Sequence, residues 1–322
     1  MGNPEELDLI FQGFLSKYGG KKLAIATHSR ADVDALSSAY ALSKLLPGSI
    51  ICTAEEMGEG AKQLAERFLI QVQDLESVDR SAFDGLIVVD TSAYTLLPQA
   101  RGWKILCIID HHRPEGRDMK AEFEIVDPEA PSSAEIVANL LTPDRISQDV
   151  AFGLAVGIIA DGARFKSARS ETFRTLAWLM EKAKAPYDEL LAIAEPEPKE
   201  EAKLAVLKAM RGVRVQYGGG YLIATSETDS NESDAASLIT EAADVAFVAR
   251  WKDREKETRI SARARKGVSI PLNQVMGEVG KELGGAGGGH AKASGASLPV
   301  HTDEALNKCI DVFITFTERE KN

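Results

Sequence analysis

The sequence contains little cysteine, no long apolar run and a deficit of positive charge. Its three cysteines are far apart and none belongs to a Cys-x-x-Cys pair, so neither a disulfide framework nor a thiolate zinc site is expected. No apolar run approaches the roughly 18–20 residues that cross a bilayer, and the first residues do not join a basic end to an apolar stretch. These absences predict a soluble protein of the reducing cytoplasm.

The shortage of positive charge restricts the nucleic acids that such a protein could bind. Its net charge is −11, from 38 Lys and Arg against 49 Asp and Glu. A protein that grips long nucleic acid over its whole surface is normally basic, because phosphate neutralisation supplies most of the non-specific affinity. The balance therefore favours a small substrate or a local basic patch, and bound cations could offset part of the negative charge.

Length and patterning predict two α/β domains. A chain of 322 residues exceeds the about 250–300 residues at which single cores stop growing. Short apolar runs at 23–27, 49–53, 86–90 and 105–110 alternate with helical spacing, which favours a doubly wound, mainly parallel sheet. Helices follow, including one at 170–184 whose Phe173 and Trp178 are predicted to lie in the core. The Pro- and Glu-rich stretch 195–201 is the best linker candidate.

We accordingly place the larger α/β domain at residues 1–190, a linker and connecting helix at 191–215, and a smaller α/β domain at 216–322. In the last domain, strands are predicted at 221–225, 245–251 and 258–264, with a helix at 233–243. The glycine-dense stretch 284–295 is predicted to be a loop that could lead into a helix N-terminus.

Acidic residues and histidines occur where the predicted apolar segments end. The carboxyl ends of parallel strands form the edge at which open α/β sheets bind ligands. Each residue alone has a structural explanation, as a helix N-cap, a turn residue or a hydrogen-bonded core histidine. Their combination favours a metal site, because three of the five histidines fall in these segments. The segments are His28-x-x-x-Asp32-x-Asp34, Asp90, Asp110-His111-His112 and Asp161.

This set of side chains predicts the chemistry of the site. Imidazole and carboxylate without thiolate suit manganese, magnesium, iron, cobalt or zinc. The carboxylates are numerous enough for two ions, and two ions about 3.5–4 Å apart can polarise a phosphoryl group and activate a water molecule. Hydrolysis of a phosphate ester is the expected reaction.

The four segments resemble the motifs of the DHH phosphoesterases, which include RecJ nucleases, nanoRNases, cyclic-dinucleotide phosphodiesterases and family II inorganic pyrophosphatases. The resemblance implies two divalent ions, usually Mn²⁺, with Mg²⁺, Co²⁺ or Zn²⁺ as alternatives. One ion would be held by His28, Asp32 and Asp90, and the other by Asp34, Asp90, His111 and Asp161, with Asp90 bridging. His112 would face the substrate phosphate as donor or acid, and Asp110 would orient the histidines. The first motif commonly continues with Gly-Ser, where this chain has Ser37-Ser38.

Two further segments resemble the DHH-associated C-terminal domain. Gly288-Gly289-His290 matches its GGGH-type motif, and Ser261-Ala262-Arg263 matches its Ser-x-Arg strand. On their own, these segments could equally be a flexible surface loop and a solvated strand face. The resemblance implies that Gly288, Gly289 and His290 contact substrate phosphate or base across a cleft from the metals. Arg263 would grip a phosphate at two points, and Ser261 of the same strand is also predicted to bind substrate.

The expected function is a two-metal exonuclease or nanoRNase that hydrolyses short or single-stranded oligonucleotides to nucleoside monophosphates. A small-nucleotide phosphatase, a cyclic-dinucleotide phosphodiesterase and a catalytically silent binding subunit stay open as alternatives. The resemblance also leaves open a homo-oligomer and a protein partner in DNA or RNA processing. Arg164 and Lys166, which follow Asp161, could touch substrate or belong to a surface loop.

Overall fold

The computed structural model of the chain describes residues 4–112, 117–162, 165 and 167–321. Arg164 and Lys166 lie outside these residues. The chain divides into two compact units, residues 1–197 and residues 198–322, each with its own six-stranded sheet.

Unit 1 is built on a parallel sheet with the strand order β3-β2-β1-β4-β5-β6. The order runs outward from β1 in one direction and from β4 in the other, so these two strands flank the topological switch point where such sheets bind ligands. The parallel six-stranded sheet confirms the predicted α/β fold class. The strands are β1 (Leu23–Thr27), β2 (Ile50–Thr53), β3 (Val72–Asp74), β4 (Gly85–Val89), β5 (Ile105–Asp110) and β6 (Phe123–Val126).

Helices cover one face of this sheet, and short 3₁₀ turns cover the other. Leu75, Leu97 and Ala100, in or beside these turns, pack against the second face. The central helix of the first face is α5, which is buried from Val150 to Ile159 and apolar on all sides, as a helix enclosed by others must be. The α helices of unit 1 are α1 (Pro4–Tyr18), α2 (Val33–Leu45), α3 (Glu59–Phe68), α4 (Ser133–Leu140), α5 (Gln148–Asp161), α6 (Ser170–Ala183) and α7 (Tyr187–Ala194).

Unit 2 is a mixed sheet with helices on both faces. Its order is β11-β12-β10-β9-β8-β7, and only the β8–β9 pair is parallel among the strands described. One face packs through alanines such as Ala236, and the other through Phe247 and Phe313. The elements are α8 (Glu200–Arg211), β7 (Arg214–Gly218), β8 (Tyr221–Glu227), α9 (Glu232–Ile239), β9 (Val245–Lys252), β10 (Glu257–Ala264), α10 (Leu272–Glu282), β11 (Ala286–Gly289), β12 (Ala293–Leu298) and α11 (Thr302–Lys321).

The prediction of a glycine loop leading into a helix at 284–295 is wrong. The segment forms the antiparallel pair β11–β12, and the next helix begins only at Thr302. Its glycines allow β11 to lie directly on α10. A β-carbon at Gly287 would come 1.9 Å from the carbonyl oxygen of Met276, and one at Gly280 would come 2.6 Å from the backbone nitrogen of Gly287. Gly287 of the strand and Gly280 of the helix therefore serve this close approach.

The prediction that Phe173 lies in the core is also wrong, since its side chain is 52% exposed. The buried stripe of α6 runs through Thr172, Leu176 and Leu179, so Phe173 lies one position outside it. Trp178 is half-buried against the core. All three cysteines are buried free thiols. Among the described residues, no helix is both long and apolar enough to cross a membrane.

Candidate metal centre

The candidate centre lies at the carboxyl edge of the unit 1 sheet. His28 directly follows β1, Asp90 directly follows β4, and Asp110 ends β5 immediately before His111. Because these three strands are parallel neighbours, their carboxyl ends meet at one place.

Two helices bring the remaining carboxylates to this edge. Asp32 is the N-cap of α2, where its Oδ1 accepts a hydrogen bond from the backbone of Ala35. Asp34 lies in the first turn of the same helix, and Asp161 is the last residue of α5. Asp32 is therefore both a helix cap and a member of the cluster, because its second oxygen faces His28.

Asp90 stands between two sets of side chains, each of which could hold a cation. Its Oδ2 is 3.6 Å from His28 Nε2, which in turn is 3.8 Å from Asp32 Oδ2. Its Oδ1 is 3.4 Å from His111 Nε2, which is 3.1 Å from Asp161 Oδ2. Asp34 groups with His111 and Asp161.

The backbone of Asp90 is strained in a way that fixes its carboxylate. Its φ is +63°, a left-handed conformation that non-glycine residues rarely adopt and that tends to be kept at functional sites. The side chain is 3% exposed, and Ser133 Oγ donates to Oδ1 over 2.9 Å. Both carboxylate oxygens are therefore directed into the cluster.

Asp34 is held by the first turn of α4. Its two oxygens accept hydrogen bonds from the backbone nitrogens of Ser133, at 2.7 Å, and Ala134, at 2.8 Å. A helix N-terminus stabilises an anion in this way. Gly157 of α5 lies opposite, where a β-carbon would come 3.2 Å from Asp34 Oδ1. Ser37, where the family pattern has a small residue, is buried against the same glycine.

His112 is directed differently from the other two histidines. Its Nδ1 lies 2.8 Å from Asp110 Oδ1, and Asp110 is fully buried. The other oxygen of Asp110 accepts from Ser92 Oγ at 2.5 Å, and Ser92 Oγ accepts from Arg117 Nε at 2.9 Å. The His112 side chain is 44% exposed, so its Nε2 is the ring nitrogen available to an incoming group. Asp90 and His111 also group with His112 as a set that could hold a cation.

The titration behaviour of the cluster follows from its crowding. Burial disfavours a charged imidazole, but the carboxylates of Asp32 and Asp90 outweigh it and raise the pKa of His28 to about 10. At His111, burial again lowers the pKa, but the hydrogen bonds to Asp161 and Asp90 outweigh it and raise the pKa to about 12. Burial, and then the charges of Asp90 and Asp161, raise the pKa of Asp34 well above its usual range.

These residues fit divalent cations. Burial of Asp34 beside two further carboxylates is costly unless a positive charge or a proton compensates it. Oxygen and imidazole donors without thiolate are those that manganese, magnesium and zinc accept. A cavity of about 250 Å³ opens beside Asp32, Asp34 and Asp161, which leaves room next to the donors.

The sequence interpretation missed the residues that position the ligands. Ser133 contacts both Asp34 and Asp90, and the carbonyl of Ala130 lies 3.3 Å from His111 Nδ1. Ser92 and Gly157 support Asp110 and Asp34. The one available signal was the Ser-x-x-Glu capping pattern of α4, which places a helix N-terminus at this point of the chain.

In unit 2, three of the predicted substrate residues share one groove. Ser261, Arg263 and Gly288 line a groove of about 550 Å³ together with Arg259. Arg263 donates to Ser233 Oγ at 2.6 Å and to the Ala262 carbonyl at 3.0 Å.

The other two predicted substrate residues lie at the end of β11. Gly289 and the exposed His290 enter the β11–β12 turn and do not line the groove.

Comparison with known proteins gives the family. Residues 22–158 match the model of the DHH family N-terminal domain, and residues 218–318 match that of the DHHA1 domain. The chain belongs to the DHH family. Members of this family are phosphoesterases, and membership supports a metal-dependent hydrolase of phosphate esters.

Similarity over most of this chain extends to two curated proteins and to a solved structure. An uncharacterized protein of Methanocaldococcus jannaschii is 30% identical over 297 residues, which is 88% of this chain and 89% of the relative. A second protein of that organism is 29% identical over 90% of this chain and 62% of its own length. The crystal structure of an exopolyphosphatase-related protein from Bacteroides fragilis superposes with a TM-score of 0.81 at 17% identity, covering 99% of this chain and 98% of the other. That likeness is one of fold.

Proposed function

We propose that this DHH protein is a manganese-dependent exonuclease of the nanoRNase type, which hydrolyses short or single-stranded oligonucleotides to nucleoside monophosphates. The observation that supports an oligonucleotide as the substrate is the groove of unit 2. Arg259, Arg263 and Gly288 line it, together with Glu232, whose carboxylate lies 3.4 Å from Arg259 Nε, in a chain whose net charge is −11. A groove in which two arginines face one acid, on an acidic body, suits a short phosphodiester better than a long duplex.

The metal sites proposed are the two sets that Asp90 joins. His28, Asp32 and Asp90 would hold one ion, and Asp34, Asp90, His111 and Asp161 would hold the other. When bound, such a pair of ions polarises the phosphoryl group and lowers the pKa of a coordinated water.

His112 is proposed to serve the substrate rather than a metal. Its Nδ1 is committed to Asp110, so the neutral ring would carry its proton there and accept at Nε2, and the protonated ring would donate from Nε2. The hydrogen bond to Asp110 raises the pKa of His112, which favours the protonated form that can donate to a phosphate or leaving oxygen.

Arg263 and Gly288 are proposed to hold the substrate in unit 2. The guanidinium of Arg263 offers several donors in one plane, which suits two-point contact with a phosphate. The backbone at Gly288 is approachable, because nothing lies within 4 Å of the position a β-carbon would take. Gly289 and His290, at the adjoining turn, would contact the same phosphate or its base, and Ser261 would support Arg263.

Product analysis over time tests the proposal. The protein with Mn²⁺ is incubated with end-labelled RNA and DNA oligomers of several lengths. Parallel reactions contain 3′-phosphoadenosine 5′-phosphate, a cyclic dinucleotide, pyrophosphate or inorganic polyphosphate. We expect monophosphates released stepwise from the oligomers, and the labelled end then shows the direction. Turnover of the small nucleotides or inorganic substrates alone would refute the exonuclease and identify another phosphoesterase.

The Asp90→Asn variant is the matched control for this assay. Asparagine tolerates the left-handed backbone at this position, so the fold should be retained while the shared carboxylate is lost. We expect the variant to lose both Mn²⁺ binding and oligomer hydrolysis, as measured by calorimetry and by the same gels. Wild-type protein that binds Mn²⁺ and turns over none of the substrates would instead favour a binding subunit.

A further inference from the structure

Arg169 links helix α6 to two acidic residues beneath the candidate metal centre. Its Nη2 donates to Glu135 Oε1 over 2.7 Å, and its Nη1 donates to Asp127 Oδ2 over 3.2 Å. Glu135 is fully buried and Asp127 nearly so. Arg169 immediately precedes the first residue of α6, where its backbone nitrogen donates to Thr172 Oγ1. The residue is thus held at its backbone, and its guanidinium is bonded to the two acids through Nη1 and Nη2, while Nε has no partner among the described residues.

The two acids are the ends of the segment that positions the proposed metal ligands. This segment, residues 127–135, runs from the end of β6 into the first turn of α4. Its contacts with the ligands are the Ala130 carbonyl at His111 Nδ1, the backbone nitrogens of Ser133 and Ala134 at Asp34, and Ser133 Oγ at Asp90. A shift of the segment would therefore move three ligands together.

Glu135 is diverted from the role that its position in the helix predicts. It is the third residue of α4, and Ser132 Oγ accepts from its backbone nitrogen over 3.1 Å. In a complete capping box the glutamate would reach back to the backbone nitrogen of the cap. Here, among the described residues, Oε1 accepts from Arg169 and Oε2 has no partner.

A buried ion pair of this kind is weak evidence for stability. Removing two charges from water costs about as much as their attraction returns, and apolar residues of similar volume often replace such a pair without loss. The arrangement instead fixes geometry, since a planar guanidinium bonded to two carboxylates sets their separation.

We propose that Arg169 is a positioning residue for the metal centre, acting on the ligands through residues 127–135. The inference rests on the metal-binding part of the proposed function. Residues outside the coordination sphere that hold metal ligands typically change metal affinity by roughly 10–100-fold when they are replaced.

The test uses Arg169→Met/Glu135→Met in the whole chain, because losing Arg169 alone would leave Glu135 buried and unpaired, whereas Asp127 keeps a hydrogen bond from the backbone nitrogen of Glu129. Calorimetry with Mn²⁺ and the electron paramagnetic resonance spectrum of bound manganese report the site, and thermal unfolding of the metal-free protein reports the fold. We expect a metal-free Tm close to wild type, affinity lower by roughly 10–100-fold and an altered spectrum. Arg174→Ala, which removes an exposed ion pair with Glu171 on the same helix, should leave the Mn²⁺ affinity, the spectrum and the Tm as in wild type.

A second variant keeps the inference falsifiable if the double variant does not fold. Arg169→Lys retains a positive charge beside Glu135 but cannot bond both carboxylates through one plane, so it should fold and still weaken Mn²⁺ binding. Wild-type affinity and an unchanged spectrum in a folded variant would overturn the inference alone. Wild-type protein that binds no Mn²⁺ would overturn the proposed function, and this inference with it.

Discussion

Replacing Gly157 by alanine tests how tightly the candidate metal centre is packed. A β-carbon at this position would lie 2.4 Å from Ser37 Oγ and 2.8 Å from the β-carbon of Ala134. The serine hydroxyl can rotate away, whereas the β-carbon of Ala134 is fixed to the first turn of α4. Since carbon atoms pack about 3.5–4.0 Å apart, α4 and α5 would have to separate by roughly 1 Å.

Gly153, one turn earlier on the same helix, supplies a control that isolates this clash. A β-carbon there would meet its nearest neighbours at 3.7, 3.8 and 3.9 Å, which are ordinary contacts. Both alanines gain about 1 kcal/mol of helix propensity, whereas only the one at Gly157 incurs an overpacking cost of about 1–3 kcal/mol. The two variants should therefore differ by about 1–3 kcal/mol. One kcal/mol corresponds to roughly 2–4 °C in Tm for a unit of this size.

Thermal unfolding of the metal-free variants, followed by titration with Mn²⁺, measures both consequences. We expect Gly153→Ala to melt at or above wild type and to bind Mn²⁺ normally. Gly157→Ala should melt lower than Gly153→Ala and bind Mn²⁺ more weakly, because the displaced turn of α4 holds Asp34. Equal melting temperatures together with wild-type Mn²⁺ affinity in Gly157→Ala would refute this account of the packing.

Two further predictions concern protons and glycines. In the metal-free protein the pKa of His28 is about 10 and that of His111 about 12, so a cation must displace protons at neutral pH. Apparent Mn²⁺ affinity should therefore rise with pH, by about one log unit per pH unit for each proton displaced; calorimetry that finds no pH dependence would contradict this. In unit 2, Gly289→Ala should lower the Tm, because its φ is +131° and a β-carbon would lie 2.8 Å from the Ala293 carbonyl. Gly288→Ala should leave the Tm unchanged and raise the KM for oligonucleotides; equal Tm values for the two variants would argue against the strain.

The strands that the sequence predicted and those it missed differ in their place in the sheets. The apolar runs at β1, β4 and β5 are buried on both faces between two neighbours, which requires continuous hydrophobic residues. The missed strands are the four sheet edges, β3, β6, β7 and β11, and one inner strand, β12, whose first residues fall in the glycine-dense stretch that was predicted to be a loop. An edge strand pairs on one side only, so short or polar sequences such as Arg214–Gly218 are sufficient there.

Of the candidate site, the sequence predicted only the side chains that could bind metal. Histidines and aspartates at strand ends, such as His28 and Asp90, can be identified as candidate ligands from their chemistry and spacing. The residues that position them cannot be identified in this way, because Ser133 and Arg169 contact their partners only after distant parts of the chain have packed together. The capping pattern of α4 places a helix N-terminus there, but it does not show which ligands that helix will contact before the fold is known.

The strand order around β1 and β4 also bears on how long the protein survives. Since the proposed ligands come from segments far apart in the chain, the unfolded chain cannot assemble the site, and non-local parallel pairing of this kind forms slowly. Cations bound there would add their binding free energy to the folded state alone. The supply of metal would then govern the rate at which the protein is degraded as well as its activity. Molecules that lack the ions would unfold more often and would be degraded first.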